Sequence, residues 1–216
     1  NVLPPNAANG SWGVEISLDV EWAHGIAPGA NIVLVEATDN TNTNLFAAVR
    51  TAANLTGVSV VSMSFGGSEF FTENGIDRTT FVTPAGHNGV TFVASTGDKG
   101  APGNYPACFK NVVAIGGTTL NLNPDNTIAS ETGWNDSGGG ISQYQTSFPS
   151  YQVGIVTQSN AKRSTPDLAM DADPGTGVPI YDSFDFGNSP WAQYGGTSLS
   201  APLFAGLMAI ANQGRA

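Results

Sequence analysis

The chain has 216 residues and a formal net charge of −10, yet only 11% of its residues are charged. Seven cations are too few to build a surface for nucleic acid or an anionic membrane, and a single cysteine, Cys108, excludes an internal disulfide or a cysteine metal cage. The surface is left mainly to Asn, Thr, Ser and Gly, which keep their charge state as carboxylates protonate, a composition suited to acidic surroundings.

The length is enough for one substantial core, and no linker-like or low-complexity break divides it, so one domain, or part of one, is expected over residues 1–216. Residues 11–24 have helical spacing, with Asn9 or Ser11 as caps. After the turn Pro28-Gly29, residues 30–37 form a β-branched apolar run that reads as a buried strand. A helix over 45–55, a strand over 58–64, a helix over 78–88 and strands over 90–95 and 112–117 follow; residues 121–158 are rich in Asn, Ser and Gly and yield no elements. The apolar run 203–211 reads as a buried helix, too short to span a bilayer. Strands alternating with helices predict an α/β fold around a parallel sheet.

Chemistry in open α/β sheets gathers at the carboxyl edge. There the second strand runs into Ser64-Phe65-Gly66-Gly67, whose glycines leave an extended edge open to a peptide, and the third into Thr96-Gly97-Asp98. The octet Gly195-Gly196-Thr197-Ser198-Leu199-Ser200-Ala201-Pro202 places Ser198 at a helix N-terminus, where unpaired N–H groups and the helix dipole favour a developing anion. An ordinary Ser/Thr-capped core helix fits the same residues.

A nucleophilic serine needs a base. Glu15 and Asp19, four apart on the first helix with Trp12 and Trp22 on the same side, would raise one another's pKa and share a proton; two solvated acids on an exposed face are the alternative. Asp19, His24 and Ser198 also fall in the order of a subtilisin-type triad, although His24, near a helix end, reads equally as a partner for the C-terminal dipole. His87 lies in a turn.

With these residues in place the chain resembles the sedolisins, the serine-carboxyl peptidases of subtilisin-like fold. The likeness rests on Glu15-Ile-Ser-Leu-Asp19 with Ala27-Pro28-Gly29-Ala30, on Ser62-Met-Ser-Phe-Gly66-Gly67, on Gly97-Asp98, on Tyr105-Pro106-Ala107 leading to Gly116-Gly117-Thr118, on Pro166-Asp167 with Asp171-Ala-Asp173-Pro174, and on the octet around Ser198. It implies Ser198 as nucleophile, Glu15 as general base and acid, Asp19 as the carboxylate that orients Glu15, and Asp98 as oxyanion support. It further implies that Ser64, Phe65 and Gly66 align the substrate backbone by strand addition, and that Gly139, within Gly138-Gly139-Gly140, lines a specificity pocket. Phe65 stands near where some relatives extend the carboxylate network with a tryptophan.

The resemblance implies an acid-active, secreted endopeptidase acting on proteins or peptides, with a pro-segment outside this chain. Calcium is typical of the family, but its usual ligands follow the serine helix and are missing here, and Asp171 and Asp173 lack the spacing of a known calcium loop. A truncated domain, incomplete at both ends, is expected. Two other readings stay open: a catalytically silent fold or binding module, and a subtilisin-type enzyme using His24.

Overall fold

The computed structural model describes residues 12–146, 148–159 and 161–214. Its elements in chain order are α1 (Trp12–Ile26), α2 (Asn42–Ala53), β1 (Val60–Met63), α3 (Glu73–Thr80), β2 (Thr91–Ser95), β3 (Val112–Leu122), β4 (Ile128–Gly133), β5 (Gly140–Ile141), β6 (Ser164–Thr165), β7 (Leu168–Asp171), β8 (Val178–Tyr181), β9 (Trp191–Tyr194) and α4 (Thr197–Asn212). The proposed caps Asn9 and Ser11 lie outside the described residues.

Strands β1, β2, β3 and β7 run parallel in that order, and the far half of β3 leaves the parallel sheet to pair antiparallel with β4. The expected α/β architecture is present, with β1 and β2 shorter than their apolar runs and β3 extending beyond the expected 112–117. One face of the sheet carries Phe46 and Val49 of α2 with Phe81, Phe92, Tyr105 and Phe109, whose rings meet mostly edge to face at 5.6–6.2 Å. Across the other face lie α1 and α4. Leu199 and Leu203 of α4 meet Val14 and Leu18 of α1, while Ala201 packs on Val93 and Ile115 of the sheet.

Three expectations are corrected. Residues 30–37 form no strand and join no ladder among the described residues, and Ile32, Val33 and Leu34 are exposed. Apolar β-branched residues favour an extended backbone; a strand also needs a bonded neighbour, and β1 pairs with β2 alone. The helix expected at 78–88 instead spans Glu73–Thr80. Fully buried Phe81 enters the aromatic cluster and leaves helical geometry at φ −104°, ψ 55°. Within 121–158, where no elements were expected, the end of β3, β4 and β5 form.

The α1–α4 contact depends on Gly206. A Cβ there would lie 2.7 Å from Ile26 Cβ and 3.2 Å from the Ala23 carbonyl oxygen. Gly206→Val is therefore expected to lower the unfolding free energy by about 1–3 kcal/mol through overpacking, seen as a lower urea midpoint with an unchanged m-value.

Candidate active site

The sheet's register brings three chain segments to one edge. Met63 pairs with Ala94, so β1 and β2 end side by side and deliver Ser64 and the Thr96–Asp98 turn together. Beyond β7, the Ala172 carbonyl accepts the Gly196 N–H at 2.5 Å, which anchors the start of α4 beside them. Gly196 has φ +95°, and a Cβ there would sit 2.9 Å from Asp98 Oδ2, so this position requires glycine twice over.

Thr197, one residue before Ser198, locks Asp98 in place. Its N–H and hydroxyl donate to Asp98 Oδ1 at 2.7 and 2.8 Å, and its Oγ1 accepts the Gly97 N–H at 2.9 Å. Oδ1 is thereby committed to two donors. Thr197 was absent from the site expected from sequence, where only a threonine preceding the serine could have marked it.

Ser198, partly exposed in the first turn of α4, reaches the Glu15 carboxyl from across the α1–α4 contact. Burial raises Glu15 to about 7; the Ser198 hydrogen bond opposes that rise and the charge of Asp98 adds to it. Glu15 Oε1 is buried without a hydrogen-bond donor. Such an oxygen is tolerated when its carboxyl holds or shares a proton. Asp19, one turn on, is raised well above the usual carboxylate range, by burial first and then by Glu15, with the Ser64 hydroxyl opposing.

The Ser64 hydroxyl has one proton and two acceptors, Asp19 Oδ1 at 2.6 Å and the Ser198 carbonyl at 3.1 Å. Ser64, expected only as a substrate-aligning residue, thus also joins the carboxylate pair to the nucleophile's own backbone. On its other side Ser64 lines a cleft of about 300 Å³ with Trp12, Phe65, Gly66, Gly67 and Tyr105. Glu15 and Ser198 do not line that cleft, so Ser64 is where the two meet. Gly139 rests against Thr165 and Pro166, while neighbouring Gly138 donates to the Gly97 carbonyl at 2.6 Å, bringing this glycine run beside the Asp98 turn.

The structure does not bring His24 to Ser198. Nine residues beyond Glu15, about 13 Å farther along the axis, His24 is exposed in the last turn of α1. Trp22 packs against the cluster containing Val14 and Leu18, and its indole N–H donates to the Pro179 carbonyl at 3.0 Å. The oxygens of Asp171 and Asp173 accept from Thr176 (3.0 Å), Thr119 of β3 (2.7 Å) and Gly175 (2.8 Å). Among the described residues no helix is long and apolar enough to cross a membrane.

A parallel sheet with a serine heading the helix packed across its carboxyl edge defines a subtilisin-like domain. Residues 6–216 match the subtilase family, and the chain belongs to it. Within that family it is 31% identical to sedolisin of Pseudomonas sp. (strain 101) over 93% of its length and 38% of the relative's, and 34% identical to kumamolisin of Bacillus sp. (strain MN-32) over 97% of its length and 40% of the relative's. The solved structure of Pseudomonas sedolisin, complexed with two molecules of pseudo-iodotyrostatin, superposes with a TM-score of 0.81 at 30% identity, covering 98% of this chain and 66% of that one. The chain thus spans about two fifths of the length of these curated relatives.

Thr197→Val keeps the shape but leaves the Gly97 N–H unpaired and Asp98 Oδ1 short of a donor. Stability is expected to fall by about 1–3 kcal/mol, measured by denaturant titration, with Thr197→Ser recovering most of the loss.

Proposed function

We propose that the chain is the catalytic part of an acid-active serine-carboxyl endopeptidase, secreted, that cleaves proteins or peptides through an acyl-enzyme on Ser198. The observation that carries this reading is that Ser198 faces the buried Glu15 carboxyl and not a histidine. Glu15 takes the hydroxyl proton as Ser198 Oγ attacks the scissile carbonyl, and returns it to the leaving amine. It then activates the water that releases the acyl group. Asp19 holds the pair's other proton and keeps Glu15 oriented. Asp98, protonated on Oδ2, and the Ser198 N–H donate to the oxyanion. Ser64, Phe65 and Gly66 pair with the substrate backbone, and Gly139 faces the side chain before the scissile bond. A pro-segment outside this chain belongs to the same reading.

The working form of the coupled acids is the pair with one proton, and burial with mutual repulsion extends its range upward. Glu15's folded value of about 7 exceeds the ordinary glutamate value of 4.5, so proton binding stabilises the fold fully below the unfolded value, and that contribution is lost as pH rises through about 7. Activity is expected to fall at the pH where the pair loses its last proton, since no working form then remains. A histidine base would show the opposite trend.

The test is cleavage of a denatured protein across pH 3–8. Ser198→Ala and Glu15→Gln are expected to lower kcat by at least about a thousandfold, Asp98→Asn by about a hundredfold or more, and His24→Ala not at all. A peptide aldehyde should label Ser198 at acidic pH. No adduct, or full activity in Glu15→Gln, would overturn the mechanism. Ser64→Ala removes the donor that opposes Asp19's rise, so the acidic limb of kcat/KM should move to higher pH, with Ser64→Thr restoring it.

A further inference from the structure

Away from Ser198, α3 carries two acids into the interior. Glu73 and Asp77 lie four residues apart on one face, both fully buried. Each of their four oxygens has one neutral donor. Phe70 N–H donates to Glu73 Oε2 at 3.0 Å and the Tyr105 hydroxyl to Asp77 Oδ1 at 2.8 Å. The two hydrogens on Gln145 Nε2 serve Glu73 Oε1 at 2.8 Å and Asp77 Oδ2 at 2.9 Å.

Of these donors, Tyr105 belongs to the cleft and Gln145 to the loop after Gly138–Gly140. Tyr105 exchanges backbone hydrogen bonds of 2.9 and 2.8 Å with Gly67, so Asp77 holds the residue that pairs with the end of the Ser64–Gly67 edge. Gln145 ends the loop that continues from Gly138–Gly140, and in that loop the Ser142 hydroxyl and Gln143 N–H donate to Glu69.

The titratable groups facing the pair are Glu69 on the same segment and Tyr105 and Cys108 on the turn before β3; the 142–145 loop contributes neutral side chains only. Nearby cations are engaged elsewhere. Arg50 donates to Thr80 at 3.1 Å, Lys162 donates to the Gln143 carbonyl at 2.9 Å, and Arg78 is exposed on α3. Two buried carboxylates with no cation between them are costly, whereas one proton on the pair removes a charge and relieves the repulsion.

We propose that Glu73 and Asp77 are positioning residues for the substrate cleft: while the pair holds a proton they tie α3 to Tyr105 in the cleft wall and to Gln145 in the 142–145 loop, and double ionisation loosens both ties. Burial raises Asp77 to about 7, against the lowering donors Tyr105 and Gln145, and also raises Glu73. With folded values above the unfolded ones, the tie is complete at acidic pH and is lost as pH rises through about 7.

The test uses two readouts, of which only the first rests on the peptidase reading. KM for a peptide substrate is expected to rise about tenfold between pH 5 and 8, with less change in kcat, and by less than about twofold in Asp77→Asn or Glu73→Gln. The thermal midpoint of the Ser198→Ala protein, which needs no activity, should fall over the same range, and adding Glu73→Gln should make that fall measurably smaller, the remainder belonging to Glu15. A flattened thermal curve in a protein without peptidase activity would support the tie and sink only the peptidase reading. Should Asp77→Asn fail to fold, Glu73→Gln decides: a wild-type pH dependence of both KM and thermal midpoint in that variant overturns the proposal.

Discussion

The approach of α1 to α4 at glycine distance governs both where the reacting groups lie and how they titrate. Because Gly206 lets Ala23 and Ile26 come close, Leu199 and Leu203 can seal against Val14 and Leu18. That seal takes the Glu15 and Asp19 carboxyl groups out of water. Burial raises both, and Ser198 comes within their reach. Packing and proton affinity therefore share one cause, and a change that opened the helix pair would alter both together.

The sheet contributes the complementary half of the site. Parallel register brings the ends of β1 and β2 to one edge, and Thr197 then fastens the Asp98 turn to the start of α4. Ser64 connects the halves, with its hydroxyl on Asp19 and its neighbours Phe65 and Gly66 along the cleft. Few of these contacts involve a full opposite charge. The site is assembled from hydroxyls, backbone N–H groups and carboxyls that keep their protons, which agrees with a chain so poor in cations.

Much of this was legible in the sequence, for reasons that differ by element. The runs at 90–95 and 203–211 are apolar enough that burial was forced, and β2 and α4 formed there. Glu15 and Asp19 were readable because a four-residue spacing fixes a common helix face whatever the tertiary contacts. His24 was a false lead, since order along the chain carries no information about distance in space. The 30–37 run misled because extended conformation is local whereas ladder bonding is not. Thr197 and the hydroxyl of Ser64 went unseen because their roles depend on where Asp98 and Asp19 arrive from other segments. The Glu73–Asp77 pair was hidden in the same way: four-residue spacing was present, but only the fold reveals that Gln145 and Tyr105 close over it.

The described residues contain one ion pair, Arg163 with Asp167 at 2.5 Å, and its arginine is fully buried. Dissolved ions screen charges they can approach, so a fold held by surface salt bridges weakens in brine. Here there is almost nothing of that kind to screen. The remaining electrostatics is the self-repulsion of an acidic surface, which salt relieves at neutral pH and which protonation removes in acid. The fold is thereby expected to tolerate concentrated electrolyte, a consequence of how few ion pairs its described residues make.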